Sequence, residues 1–378
     1  MVIALAVSAC GGGGGGGPVV GPTGSSGAAT GVVTGLGSVI VNGVRFDDGT
    51  ALIRDDSGAT RTRSDLKLGM VVDVTSGPIS PGSGDTLGAA TATRVQYGSS
   101  IKGPVTARNL VAGTLTVLGQ TITVPAGVAF DGYPSGLGGV AINDLIEVHA
   151  LFDPTTQTFR GTRIEKAASL AECKVVGVAQ SVDRTARSFV IRSLGLSYTA
   201  GATLNGLNNA TTVKVRMPYT PGLGCGTSAV TEVSALTTSP AEGAQAELDG
   251  FITDYIGNTS FKVNGLPVRA GTAITGLGNG VRVEVEGTVQ SGVLVASRVE
   301  LRSGAVSDDR IRLYGVPSSV NPTDQTLLLR GVTVSYATAS LENGITVGNL
   351  GGGTALEVRG DLDATGTQVV ATRIRPAN

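Results

Sequence analysis

The sequence predicts an all-β protein, a tandem array of small closed β-barrels. Three observations carry this. Gly is abundant, at 58 of 378 residues, while aromatic residues make up only 4% and Trp is absent. Gly costs about 1 kcal/mol in a helix interior relative to Ala, so this balance favours short strands joined by tight turns. Hydrophobic residues make up 41% and charged residues 15%, a composition that builds cores and does not stay disordered. Finally, three sequence marks recur in fixed order along the chain, five times.

The first mark is a short alternating strand with a charged centre. It is seen in Val72-Asp73-Val74, Ile146-Glu147-Val148, Val213-Lys214-Val215, Val283-Glu284-Val285 and Leu356-Glu357-Val358. Its copies lie roughly 70 residues apart, a domain-sized period. The second mark follows it closely: ATRV from Ala92, GTRI from Gly161, VTEV from Val230, ASRV from Ala296 and ATRI from Ala371. The third precedes both. It is a turn Gly opening a strand, as in VNGVRF from Val41 and VNGLPV from Val263. The marks divide the chain into modules over residues 31–100, 101–171, 172–246, 247–307 and 308–378, with boundaries in small or polar stretches.

The fourth module shows the grammar most cleanly. Period-two alternation predicts strands over residues 248–255, 260–263, 266–269, 281–289 and 293–301. Asn264-Gly265 is the strongest short hairpin signal, because both turn residues must take positive φ. Five or six strands in a module of about 60 residues leave little core, and an open sheet of that size would expose its edges. Closure into a barrel removes the edges, and the Gly-containing long strands suit barrel corners.

The grammar of these modules resembles a family of bacterial domains of unknown function that occur in tandem in proteobacterial lipoproteins. It is also similar to the oligonucleotide/oligosaccharide-binding (OB) barrel in its periplasmic versions, such as the haem chaperone of cytochrome c maturation. The resemblance covers Gly31 to Asn378 and implies OB-like barrels. It implies no activity, since fold does not fix function. The haem chaperone attaches haem through a loop His. His149, the single His, lies inside the strand IEVHA, so that role does not carry over.

The opening of the chain points the same way. Met1 to Ala9 is apolar, and Val7-Ser8-Ala9-Cys10 resembles the lipobox of bacterial lipoproteins. That resemblance implies cleavage before Cys10 and lipid attachment to its thiol, with residues 1–10 as signal peptide and lipobox. The basic n-region of such a signal is missing, so the true start is expected upstream. Two or more acyl chains anchor stably, at about 0.8 kcal/mol per buried CH₂. Gly11 to Gly17 opens a tether over residues 11–30, flexible enough to clear the headgroups. The lipoprotein resemblance, with no acidic residue just after Cys10, implies the outer membrane.

Two further cysteines, Cys173 and Cys225, fall in the third module, and an oxidising compartment favours their pairing. His149 shares a strand face with Glu147, which reads as an exposed position without a catalytic role. Asp47-Asp48-Gly49 and Asp55-Asp56-Ser57-Gly58 read as β-turns, since their spacing fits no calcium loop. Asp56-Ser57-Gly58 is similar to the aspartic protease motif but has no second copy to face it. Gly276 to Gly280 leads into a strand, not a helix, and reads as a plain connection.

Arg94, Arg163, Arg298 and Arg373 recur at one position of the second mark and are the candidate binding surface. The competing reading pairs them with Asp73, Glu147, Glu284 and Glu357 as cross-strand salt bridges on solvated faces. The third module carries Glu232 at this position.

A formal net charge of −1 supplies no basic excess for phosphates, and seven Tyr with seven Phe offer few stacking platforms, so no nucleic-acid partner is expected. No cofactor or metal set is expected either. The expected function is structural or interactive, not enzymatic: a lipid-anchored multi-module scaffold of the cell envelope meeting protein, wall or polysaccharide. The alternative is an array binding glycans or small anions on its barrel faces.

Overall fold

A computed structural model describes residues 26–236, 239–257, 259–271, 274–302 and 311–377. Cys10, the start of the tether and the boundary near residue 307 lie outside the described residues. Among the described residues, the regular elements are strands and single-turn 3-10 helices.

Five barrels follow one another, each closed by the same pairing. In the fourth, the strands are Gln245–Gly257, Ser260–Val263, Leu266–Ala270, Arg282–Gln290 and Val293–Leu301. The first three run as antiparallel neighbours. The third lies parallel to the fifth, the fifth antiparallel to the fourth, and the fourth closes on the first. This is the OB-like order, and it leaves no open edge inside the barrel. Asn264 and Gly265 take φ of 51° and 82°, as the hairpin signal requires. In the fifth barrel the first strand breaks at Pro317 into Ile311–Gly315 and Ser319–Asn321, one piece pairing with the fourth strand and the other with the second.

A register shift between the fourth and fifth strands recurs at one place: Thr75/Ser76, His149/Ala150, Glu286/Gly287 and Arg359/Gly360. Such a bulge adds the local bend that a small barrel needs to close.

The barrels do not form an extended string. The first strand of the first barrel, Gly27–Leu36, runs parallel to residues 245–248 of the fourth and to Arg312-Leu313 of the fifth. Gly27 to Thr30, expected in the tether, are therefore strand. One continuous core joins the first and fifth barrels, and a second joins the second and third. Val32, Leu151 and Phe251 bring the first, second and fourth barrels together. The first barrel thus touches all four others and acts as their hub.

The hub contacts depend on close backbone approach. Gly69 has φ +79°, and the Thr162 hydroxyl of the second barrel donates to its carbonyl at 2.6 Å. A methyl group at Gly69 would sit 2.4 Å from the Thr162 carbonyl oxygen. Gly69→Ala is expected to cost about 2–3 kcal/mol in denaturant unfolding, from left-handed strain plus overpacking. Gly43→Ala is the control, since Gly43 has φ +75° but open space around it. It should cost only the strain part, about 1 kcal/mol. Equal losses at the two sites would show that the barrel contact contributes nothing.

Candidate functional site

Each barrel presents an outer face built by its first, fourth and fifth strands. The residue that follows the first mark's hydrophobic pair sets the charge of that face. It is Thr75, His149, Arg216, Glu286 or Arg359 in barrel order, standing opposite Arg94, Arg163, Glu232, Arg298 or Arg373. The four candidate arginines therefore occupy equivalent positions in four barrels, and the structure does not gather them into one surface. Arg94 is exposed. Arg163 is buried between two barrels, bonding Asp131 at 2.6 Å, Glu165, and the Leu68 carbonyl of the first barrel. Arg298 bridges Glu286 and Glu300 on its own barrel. Arg373 reaches Asp85 of the first barrel at 3.2 Å.

His149 corrects the expectation of an exposed position: it is only 2% exposed. Its side chain does leave the barrel on the side of Glu147, but neighbouring barrels cover that side. Burial, with the nearby Arg163 and Lys174 cations, pulls its pKa down to about 3, so the ring is neutral. Likewise Arg163 lies on a covered face, not a solvated one.

Two of the faces are basic, and the first barrel fills both. On the third barrel, Lys174, Lys214 and Arg216 surround the Asp56 carboxylate at 2.7, 3.3 and 3.1 Å. Lys174 is fully buried, which lowers its pKa to about 8 against the opposing pull of Asp56. Burial raises the Asp56 carboxyl, but the charges of Lys174 and Lys214 outweigh it and hold the group well below the usual range. On the fifth barrel, Arg359 and Arg373 take Asp85 at 3.1 and 3.2 Å, and the Arg312 and Arg359 guanidinia donate to its backbone carbonyl. Asp55 completes the turn beside Asp56 by accepting the amide N–H groups of Ser57 and Ala59.

The fourth barrel has the opposite charge. Its face lines a cleft of about 710 Å³ with residues 42–44, 79, 81–84 and 86–88 of the first barrel and with Arg312 of the fifth. Glu247 and Glu286 stand side by side across two strands, as do Asp249 and Glu284. The inner row is well paired: Arg282 bonds Asp249 at 2.6 Å, and Arg302 bonds Glu284. Glu247 is not. Its residue is 8% exposed, and its Oε2 is buried without a hydrogen-bond partner. Burial, then the neighbouring Glu286 and Glu284 charges, push its carboxyl up to about 9, so it is protonated at neutral pH. The Asn42 side-chain amide donates to the Glu247 carbonyl at 3.2 Å, and Gln245 accepts the Ile79 N–H at 2.8 Å, which fixes the two barrels across the cleft.

Asp56, Asp85, Lys174, Arg216 and Glu247 carry this electrostatic pattern, and sequence reasoning did not single them out for it. The signal present in the sequence was the alternation of charge from module to module at the position after the first mark. Among the described residues, no group of three His, Cys, Asp or Glu side chains is placed to hold a metal ion. The third barrel carries the Cys173–Cys225 disulfide, with Cα atoms 5.7 Å apart, joining its first strand to the short strand Gly224–Cys225.

No curated protein matches the chain. Residues 102–165, 249–300 and 314–375 fall within the second, fourth and fifth barrels, and these three segments match the family described as a domain of unknown function (DUF5666).

Proposed function

We propose that the protein is a lipid-anchored scaffold of the bacterial cell envelope. It is held through Cys10 at the outer membrane, and it presents binding surfaces on a body of five clamped barrels to an envelope protein, the cell wall or a polysaccharide. The observation that carries the exported part of this reading is the Cys173–Cys225 disulfide, whose Cys173 is fully buried. Such bonds form and persist outside the reducing cytoplasm. The lipobox resemblance at Val7-Ser8-Ala9-Cys10 supports the anchor, and the hub contacts of the first barrel support a scaffold that holds its surfaces in fixed relation.

Replacing Cys10 with Ser, in a chain given a complete export signal, is expected to move the protein from the membrane to the soluble envelope fraction. Fractionation and immunoblotting read the outcome. Membrane association undiminished by the substitution would overturn the anchor.

The alternative of an array for glycans or small anions finds less support. It requires free arginines at one position in every barrel, and Arg163, Arg298 and Arg373 are each engaged by carboxylates.

A further inference from the structure

We propose that the cleft between the first, fourth and fifth barrels binds an organic cation, seating a primary ammonium group against Glu247 and Glu286. The proposal takes the cleft as one of the scaffold's presented surfaces, and it holds wherever the protein is anchored.

The argument comes from comparing equivalent faces. The basic faces of the third and fifth barrels each receive a carboxylate from a loop of the first barrel, Asp56 in one case and Asp85 in the other. The fourth barrel carries Glu286 where those two carry Arg216 and Arg359. Among the described residues, no cation from the first barrel is bonded there. That barrel lines the cleft with Asn42, small residues and apolar residues instead. The counter-charge that completes the sister faces is therefore left for a ligand to bring.

The site is more than a cluster of acids. Glu247 lines the cleft, and its Oε2 is buried with no hydrogen-bond partner. Among the described residues, the cations lining the cleft are Arg298, Arg302 and Arg312, and Arg298 is the one whose charge acts on Glu247. Arg298 is spread between Glu286 and Glu300, Arg302 is bonded to Glu284, and Arg312 donates to the Asp85 carbonyl. Among the described residues, Glu247, Glu284, Glu286 and Glu300 line the same cleft. Glu247 itself carries a proton at neutral pH. An arriving ammonium would replace that proton: the carboxyl O–H breaks, its proton leaves to solvent, and the carboxylate accepts from the ammonium. Among the described residues, no group of three carboxylate, His or Cys side chains is placed there to hold a metal ion.

Calorimetric titration of the full-length protein at pH 7 tests this, with 1,5-diaminopentane and butylamine as probes and 1-butanol and sulfate as controls. Runs in buffers of different ionisation enthalpy count the protons exchanged. Both amines are expected to bind with release of about one proton per site, as expected for a carboxyl protonated at pH 7. Glu247→Gln, which removes no ion pair, is expected to weaken amine binding about tenfold or more and to abolish the proton release. An unfolding curve of this variant matching that of the parent separates site loss from misfolding. Absence of amine binding, equal binding of butanol, preference for sulfate, or amine binding unchanged in Glu247→Gln would each overturn the proposal. None of these outcomes bears on the membrane anchor, which the Cys10 variant tests separately.

Discussion

Replacing Asp56 with alanine is expected to destabilise the protein by about 3–5 kcal/mol, the range for removing one partner of a buried ion pair. The substitution strips the shared carboxylate from Lys174, Lys214 and Arg216. Lys174 is the decisive group, because its side chain has no contact with water. Left alone, it must shed its proton or draw water into the junction, and either opens the seat of the third barrel on the first. The pH dependence follows from the direction of the Asp56 shift. Its carboxyl titrates lower in the folded protein than the ordinary 3.8. Its stabilisation is therefore fully present above pH 4 or so and is lost as pH falls through the folded value. Denaturant unfolding of the parent should show this contribution intact at pH 7 and diminished near pH 3. A loss under about 1 kcal/mol at pH 7 would mean that the triad contributes no more than a surface pair.

Removing the disulfide should have an effect of similar size, confined to the third barrel. The bond closes a loop of 52 residues, for which the chain-entropy relation gives about 4 kcal/mol. The barrel has reason to depend on it. Its fifth strand, Val230–Ala235, has six residues, while the fourth strand it pairs with, Thr212–Thr220, has nine. The bond ties the first strand to the loop that leads into this weak closing strand. Replacing both cysteines with alanine should lower the unfolding midpoint and bring hydrogen exchange in residues 212–235 forward, while the fourth barrel keeps its protection. A uniform loss across all barrels would show instead that the third barrel is part of one cooperative unit with the rest.

The strands were legible because their signals are local. Period-two alternation and Asn-Gly turns placed the fourth barrel's strands within a few residues, and the recurrence of that pattern supplied the other four barrels. The electrostatics were not legible, and the reason is physical. A residue that points out of a barrel alternates in the same way whether water or another barrel lies beyond it. His149 and Arg163 both read as surface positions and are both buried between barrels. Glu247 fell at a module boundary, and its neighbour Asn42 is 205 residues away in the chain. Asp56 read as a turn residue, while its further role comes from a face that the third barrel builds.

The parallel pairing of Gly27–Leu36 with the fourth and fifth barrels has a consequence for biogenesis. A chain delivered from its N-terminus releases the hub first, yet the strands that cover the hub's flank arrive last. Until they do, that flank offers unsatisfied backbone groups to any passing strand, the hazard that sheet edges carry in general. Slow delivery or truncation after the third barrel would prolong that exposure, and holding chaperones would find their substrate there. The first barrel to be made is the last to be finished.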